Sequence, residues 1–115
     1  MTKIFAHRGA SAYAPENTME AFHLAAKQGA DGIELDVHVT KDGEVVVTHD
    51  EKIDRVSNGS GFVKDMTLRE LKRLSFHNHM ESYVGAGIPT LREVLEFVKT
   101  TTMAVNIELK TGLYW

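Results

Sequence analysis

The sequence predicts an α/β fold built around a parallel sheet. Residues 33–40 and 103–110 each alternate between apolar and polar side chains, which is typical of strands. The stretches between the strands carry helix start signals of the capping-box type, a Thr or Asn followed three residues later by Glu. The resulting order is strand, helix, strand, hairpin with an insert, helix and strand. This order favours βα units, and therefore parallel strands with covering helices.

The first two elements are a short strand and a helix. Residues 3–6 are mostly apolar and stop at His7, which predicts a buried strand that ends in a loop. Asn17 and Glu20 form the first capping box and predict the start of a helix. Gly29 supplies the C-terminal stop of that helix.

The second strand, residues 33–40, is the most informative segment. One of its faces is aliphatic, and the other face is polar. The polar side chains are Glu34, Asp36, His38 and Thr40. An Asp-Gly turn at residues 41–43 then leads into a further strand at residues 45–48.

Residues 51–88 lack a long periodic pattern and predict an insert of loops with one short helix, which Thr67 and Glu70 begin and which ends near Leu74. A third capping box, Thr90 with Glu93, begins the last helix. Its predicted apolar face consists of Leu91, Val94, Leu95 and Val98. Residues 103–110 form the last strand, with Glu108 and Lys110 on its polar face.

The composition describes an ordinary globular chain. Its 115 residues are 43% hydrophobic and 25% charged, as in most globular proteins. The net charge is -3, with 13 Lys and Arg against 16 Asp and Glu, so no general attraction to nucleic acid is expected. There is no Cys, which excludes a disulfide framework and a thiolate zinc site. Without a secretory signal or a membrane span, we expect one cytoplasmic domain over residues 1–115.

Three carboxylates predict a metal site. Glu34 and Asp36 share one strand face, roughly 6.5–7 Å apart along the backbone, and Glu108 repeats the pattern on a second strand. Unpaired carboxylates are costly to bury, so they face water, pair with cations or bind a metal. Carboxylates from two parallel strands would form a hard-oxygen site suited to Ca²⁺, Mg²⁺ or Mn²⁺. A sheet face turned towards solvent is the alternative.

Two histidines and two cations complete the candidate site. His7 and His49 each follow an apolar strand segment, at the C-terminal edge where α/β sheets carry active sites. Imidazoles transfer protons near neutral pH, although a capped or surface histidine is the alternative. Arg8 adjoins His7, and Lys110 shares its strand face with Glu108. Either cation can hold a phosphate oxygen, or it can be solvated or paired with a carboxylate.

Seven short motifs follow one another in a specific order. They are His7-Arg8-Gly9, Pro15-Glu16-Asn17-Thr18, Glu34-Leu35-Asp36-Val37, Thr40-Lys41-Asp42-Gly43, His49-Asp50, Ile88-Pro89-Thr90-Leu91 and Asn106-Ile107-Glu108-Leu109-Lys110. Together they span nearly the whole chain, and in this order they resemble the glycerophosphodiester phosphodiesterase family. Arg55 and residues 59–63 also resemble the family's loop after the second histidine.

The resemblance implies a (β/α)₈ TIM barrel, of which this chain holds the N-terminal part with about three main parallel strands and a small insertion at about residues 51–88. It implies a divalent cation, Ca²⁺ or Mg²⁺ with Mn²⁺ as a further candidate. The implied metal ligands are Glu34, Asp36 and Glu108. His7 and His49 are the implied acid–base pair, and Arg8 and Lys110 are the implied phosphate contacts.

The implied reaction is the metal-dependent hydrolysis of glycerophosphodiesters to glycerol 3-phosphate and an alcohol. One histidine takes a proton from the attacking oxygen, and the other gives a proton to the departing alcohol. We assign His49 as the base and His7 as the acid. Arg8 and Lys110 would stabilise negative charge in the transition state.

The chain is about half as long as a complete barrel, which typically has ~250 residues. Three parallel strands alone leave an open edge and an uncovered inner face. We therefore expect either a fragment or a truncated relative that completes the barrel as a homo-oligomer. The alternative function is a non-catalytic half-barrel that binds metal or phosphate. A phospholipase D-like toxin fold has a similar His and Glu-x-Asp layout, but the Pro-Glu-Asn-Thr segment argues against it.

Overall fold

A computed structural model describes residues 3–109 of the chain. In chain order, its elements are β1 (Phe5–His7), α1 (Met19–Lys27), β2 (Gly32–Val39), β3 (Val45–Val47), α2 (Leu68–Lys72), α3 (Leu91–Val98) and β4 (Ala104–Leu109). Short 3₁₀ helices at Val63–Asp65 and Glu81–Tyr83 flank α2. The predicted order of strands and helices is confirmed. Nowhere in residues 3–109 is a helix long and apolar enough to cross a membrane.

The four strands form one sheet around β2. β1 and β4 both pair with β2 in parallel, which confirms the predicted parallel sheet. β3 pairs with the C-terminal end of β2 in the antiparallel direction. Since residues 32–34 pair with both β1 and β4, and Val37 pairs with both β3 and β4, the strands β1 and β3 share one edge of β2.

The main core lies between the sheet and the helices α1 and α3. The predicted aliphatic face of β2 is confirmed, because Ile33, Leu35 and Val37 are all buried. Phe22 of α1 and Val94 of α3 are fully buried in the same cluster. Burying side chains of this size contributes about 1.5–3 kcal/mol each, so this cluster fixes the helices against the strand that carries the acidic residues.

A second apolar cluster supports residues 51–88, the insertion. Its buried members are Val46, Ile53, Val56, Val63, Leu71, Phe76 and Ile88. Val46 belongs to this cluster, whereas its neighbour Val47 belongs to the main core, because successive strand residues point to opposite faces. β3 is therefore the strand through which the insertion is anchored to the sheet.

Two predictions about burial were wrong. β1 was expected to be buried, but Phe5 is 39% exposed, because in the described chain β1 contacts the sheet only through β2. Leu95 was expected on the apolar face of α3, but it is 38% exposed. The buried residue of that helix is Val94, and the next residue is turned about 100° around the axis, which directs Leu95 outwards.

The predicted start of α1 was wrong by one residue. Thr18 is the N-cap, and its hydroxyl accepts a hydrogen bond from the backbone N–H of Ala21. Asn17 has a left-handed backbone, with φ of 57°, and its side chain reaches Asp36 instead. The predicted stop is confirmed, because Gly29 follows the helix with φ of 81°, the conformation that glycine adopts at a helix end. The capping boxes of α2 and α3 are also confirmed.

Candidate active site

The C-terminal ends of β1 and β3 approach each other along the same edge of β2. The backbone N–H of Arg8, just after β1, donates to the Glu34 carbonyl at 2.7 Å. The backbone N–H of Thr48, just after β3, donates to the Asp36 carbonyl at 2.9 Å. The two strand ends are therefore only two residues apart along β2, and they meet beside its acidic positions.

The hairpin that the Asp-Gly turn predicted is confirmed, because β3 runs antiparallel to β2. His7 is the last residue of β1, and His49 follows the end of β3 by two residues. The hairpin folds the chain back, so that His49 arrives from the direction opposite to His7. The backbone carbonyl of His49 lies 2.9 Å from Nε2 of His38, which is 5% exposed. His38, on the polar face of β2, thus holds the backbone of His49 in place.

The strand register brings the three predicted metal ligands into neighbouring backbone positions. Asp36 of β2 pairs directly with Glu108 of β4, and Glu34 lies two residues earlier on β2. Paired residues on adjacent strands lie about 5 Å apart. Asp36 is 3% exposed, Glu34 is half-buried and Glu108 is exposed. Burial therefore differs sharply across the three carboxylates.

The carboxylate side chains do not surround one common point. Glu34 Oε1 lies 3.2 Å from Nε2 of His7, while Asp36 Oδ2 accepts a hydrogen bond from Asn17 Nδ2 at 3.3 Å. Across residues 3–109, no group of three or more His, Cys, Asp or Glu side chains is placed to hold a metal ion. The strand register places the backbones of the three predicted ligands next to one another, as expected. Their side chains, however, are not gathered around one point at which an ion could bind.

The donor chemistry at Asp36 nevertheless fits a hard cation. The Oδ1 atom of Asn17 is buried and has no hydrogen-bond partner within the described part of the chain. A buried acceptor without a partner costs about 1–3 kcal/mol. Because Asn17 Nδ2 already donates to Asp36, this amide oxygen adds a further hard donor to the carboxylates, of the kind that Ca²⁺ and Mg²⁺ prefer.

Arg8 places a positive charge beside Asp36. Its Nη1 lies 3.2 Å from Glu16 Oε2, and its Nε lies 3.5 Å from Asp36 Oδ2. The Nε atom is buried and makes no hydrogen bond within residues 3–109. The Arg8 backbone is left-handed, with φ of 58°. The other predicted phosphate contact, Lys110, lies outside the described residues.

His49 belongs to a network that the sequence did not reveal. Its Nδ1 lies 2.7 Å from Asp50 Oδ1. Arg55, from the insertion, donates from Nε to Asp50 Oδ2 at 2.9 Å and from Nη2 to Asp50 Oδ1 at 3.2 Å. Arg55 also donates from Nη1 and Nη2 to the two carboxylate oxygens of Glu16, at 2.8 and 3.0 Å. Glu16 is the residue that Arg8 contacts, so His49 and Arg8 are linked through two carboxylates and one guanidinium.

The charges of this network keep both carboxylates ionised. The hydrogen bond from Arg55 is the largest cause that lowers the pKa of Asp50, to about 2; partial burial opposes it, and His49 adds to it. Burial raises the pKa of Glu16, but hydrogen bonding and charge from Arg55, together with the charge of Arg8, outweigh burial and hold that pKa below its usual value. At neutral pH, Asp50 is therefore an acceptor only.

The sequence predicted a helix-capping role for Asn17 and no role in the site for Glu16. The signal that could have identified them is the polar run Glu16-Asn17-Thr18 between an apolar loop and an apolar helix. Asn17 and Thr18 are 3% and 1% exposed, and buried polar side chains in such a position need partners. The sequence alone does not say which partners they have.

Comparison with known proteins supports the resemblance. The model of the glycerophosphoryl diester phosphodiesterase family matches residues 7–115. A glycerophosphodiester phosphodiesterase of Caldanaerobacter subterraneus is 53% identical over 113 residues, which are 97% of this chain and 46% of the relative. One from Bacillus altitudinis is 53% identical over 116 residues, covering 99% of this chain and 47% of the relative.

Solved structures of phosphodiesterases also resemble this chain in fold and sequence. A glycerophosphodiester phosphodiesterase from Agrobacterium tumefaciens superposes with a TM-score of 0.90 at 45% identity, over 95% of this chain and 47% of that one. An Oleispira antarctica phosphodiesterase in complex with the product sn-glycerol-3-phosphate superposes with a TM-score of 0.92 at 38% identity, over 96% and 45% of the two chains. The chain thus spans a little under half the length of the proteins it matches.

Proposed function

The chain belongs to the glycerophosphoryl diester phosphodiesterase family, and on that premise we propose that the protein hydrolyses glycerophosphodiesters to glycerol 3-phosphate and an alcohol. The family has a TIM-barrel fold, of which the described sheet is a part. The observation that carries the proposal is the meeting of β1 and β3 at one stretch of β2. It gathers two imidazoles, a guanidinium and two carboxylates; these residues are His7, His49, Arg8, Glu34 and Asp36.

His49 is suited to act as the general base. Its Nδ1 faces the Asp50 carboxylate at 2.7 Å, and an ionised carboxylate can only accept, so Nδ1 carries the proton. The neutral ring then presents an unprotonated Nε2. This nitrogen can take the proton of the attacking oxygen as that oxygen bonds to phosphorus.

His7 is suited to act as the general acid. Its Nε2 lies 3.2 Å from Glu34 Oε1, and its side chain is 60% exposed, so a substrate can reach the ring. As the ester bond breaks, His7 gives a proton to the departing alkoxide and the free alcohol leaves. After these steps His49 is protonated and His7 is neutral. Proton exchange with solvent returns both rings to their starting states.

Arg8 is suited to hold the phosphate. Its side chain is 21% exposed and already lies between Glu16 and Asp36, which keeps the guanidinium in one place before substrate arrives. A fixed guanidinium stabilises the negative charge that develops on phosphoryl oxygens without reorganisation. We propose the same role for Lys110, which shares the polar strand face with Glu108 in the sequence pattern.

Dependence on a divalent metal is general in the family. We propose that Glu34, Asp36 and Glu108 hold a Ca²⁺, Mg²⁺ or Mn²⁺ ion. Such an ion, when bound, withdraws negative charge from the phosphodiester oxygens. The pairing of Asp36 with Glu108 across β2 and β4 supports this ligand set. So does the Oδ1 atom of Asn17, which is buried and accepts no hydrogen bond from residues 3–109.

The test is release of glycerol 3-phosphate from glycerophosphocholine in the presence of Ca²⁺ or Mg²⁺. We expect His7→Ala and Glu34→Ala to abolish turnover. His23→Ala is the matched control, because His23 stacks on Phe97 with ring centroids 4.1 Å apart and belongs to no part of the site. Turnover that survives in both site variants would refute the assignment.

A second function is favoured by the exposed apolar side chains on and next to the two outer parallel strands. Ile4, which precedes β1, is 67% exposed and Phe5 of β1 is 39% exposed, while Ile107 and Leu109 of β4 are 39% and 60% exposed. We infer that a chain of this length, if it acts alone, would cover them with a second copy, as a half-barrel that binds metal or phosphate without turnover. Light scattering tests this: a homo-oligomer that binds metal without turnover supports it, and a folded monomer counts against it. The cytoplasmic location stays a prediction.

A further inference from the structure

The side chain of Arg55 makes four hydrogen bonds although it is partly exposed to solvent. All three of its guanidinium nitrogens donate, in four hydrogen bonds to Asp50 and Glu16. Its side chain is 45% exposed, and ion pairs at such positions usually contribute little to the free energy of unfolding. A guanidinium with every nitrogen engaged is more valuable for fixing geometry, because its planar fork matches the two oxygens of a carboxylate.

The Asp50 carboxylate has both of its oxygens occupied. Oδ2 accepts from Arg55 Nε, and Oδ1 accepts from Arg55 Nη2 as well as from His49 Nδ1. The carboxylate therefore cannot rotate about its last bond without breaking contacts with Arg55. Its Oδ1 is held facing the imidazole, and this determines which ring nitrogen of His49 carries the proton.

Arg55 is itself held from the opposite side. Glu16 accepts from both Nη atoms of Arg55 and also from Nη1 of Arg8, and the Glu16 side chain is only 9% exposed. Negative and positive side chains therefore alternate in the order Asp50, Arg55, Glu16 and Arg8. Removal of Arg55 would leave two carboxylates facing each other, and nothing else described would restrain Asp50 against the ring of His49.

We propose that Arg55 is a positioning residue, which through Asp50 holds His49 in the single tautomer whose Nε2 is free to accept a proton. The catalytic meaning of this role rests on the function proposed above, but the positioning itself does not. The insertion would then contribute to the site, because Arg55 belongs to residues 51–88 whereas Glu16 lies in the loop before α1. Packing of the insertion against that loop would be coupled to the tautomer of His49.

The direct test is the tautomer of His49, read from the ¹⁵N shifts of its ring nitrogens in long-range ¹H–¹⁵N spectra. Spectra are recorded at about pH 8.5, roughly two units above the usual histidine pKa, so that the ring is neutral. We expect only the Nδ1–H form in the unaltered protein. Asp50→Ala removes the acceptor and provides the reference for an unheld ring, in which the Nε2–H form predominates.

Arg55→Gln is expected to shift His49 towards that reference, and Lys72→Gln is expected to leave it unchanged. Lys72 is the matched control, because it loses an exposed ion pair, to Glu93 at 2.6 Å, away from His49. Arg55→Lys keeps the charge and protects the fold, yet one ammonium cannot replace a fork, so we expect it to shift the tautomer too. If His49 stays purely Nδ1–H in both Arg55 variants, Arg55 is only structural and the proposal is overturned. It is equally overturned if Asp50→Ala leaves the tautomer unchanged.

Kinetics separate this proposal from the proposed function. In the active protein, Arg55→Gln should lower kcat about tenfold, a part of what a general base contributes. KM should stay nearly unchanged, because every guanidinium nitrogen of Arg55 is already engaged by Asp50 or Glu16. A protein that shows no turnover refutes the phosphodiesterase assignment, while the tautomer measurement still decides the role of Arg55. Loss of turnover without a change of tautomer would overturn the positioning role.

Discussion

Acidification is expected to remove stability that the Arg55 network contributes. The Arg55 hydrogen bond is the main cause that holds the pKa of Asp50 at about 2, below its ordinary value of 3.8. For Glu16, burial raises the pKa, but Arg55 and Arg8 outweigh it and the pKa stays below 4.5. Both carboxyls bind protons less readily in the folded state. Their contribution is therefore complete above their unfolded pKa values and is lost as pH falls towards the folded ones.

The size of the effect follows from the shift at Asp50. A difference of nearly two pKa units corresponds to at most about 2.5 kcal/mol. Because the Arg55 side chain is 45% exposed, solvent screening reduces this to about 1 kcal/mol. Most of the loss should occur between roughly pH 4 and pH 2, and high salt should diminish it.

Urea unfolding followed by circular dichroism at several pH values measures this loss. Other carboxyls titrate in the same range, such as Glu70 and Glu93, whose pKa values are also lowered, so the informative quantity is the difference between two proteins. We expect the unaltered chain to lose about 1 kcal/mol more than Arg55→Gln over this interval. Parallel pH profiles would show that Arg55 does not stabilise the ionised carboxyls and would refute the reasoning.

Three further substitutions test the fold. Phe22→Ala leaves a cavity at a fully buried position and should cost about 3–5 kcal/mol in urea unfolding; a cost below about 1 kcal/mol would contradict the described core. Gly9→Ala should cost at least about 1 kcal/mol more than Gly43→Ala: both glycines have φ near 80°, at 80° and 82°, but a Cβ at Gly9 would come within 2.8 Å of Ala21, whereas Gly43 has open space. Equal melting temperatures for the pair would contradict that close approach. Thr90→Ala removes the hydroxyl that caps α3 and should cost about 1 kcal/mol, which thermal unfolding would detect; an unchanged melting temperature would argue against the cap.

Much of the fold was predictable because its signals are local. The alternation in β2 assigns Ile33 and Leu35 to the core, since strand residues two apart share a face. The capping boxes of α2 and α3 are fixed by residues three apart, and both were located correctly. The parallel pairing of β4 with β2 follows from the order of elements, because a βα unit returns its strand in the same direction.

The rest depends on contacts between distant parts of the chain. Arg55 and Glu16 are 39 residues apart, and no spacing rule relates an insertion to a loop before the first helix. The hairpin that brings His49 back was predicted from the Asp-Gly turn, but its pairing on the same edge of β2 as β1 was not, because that placement is a property of the whole sheet. The exposure of Phe5 and Leu95 was also missed, because an apolar pattern shows which face can be buried but not which neighbours are present to bury it.

The left-handed backbone of Arg8 implies that thermal stability and the proposed activity favour different residues at this position. Its φ of 58° is a conformation that Gly or Asn adopts at lower cost, and its buried Nε makes no hydrogen bond in the described chain, although it lies 3.5 Å from Asp36 Oδ2. Variants enriched only for resistance to heat should drift towards Gly or Asn at this site. If Arg8 holds the phosphate as proposed, variants enriched for phosphodiester cleavage should keep the arginine, and the two kinds of selection would favour different residues at this position.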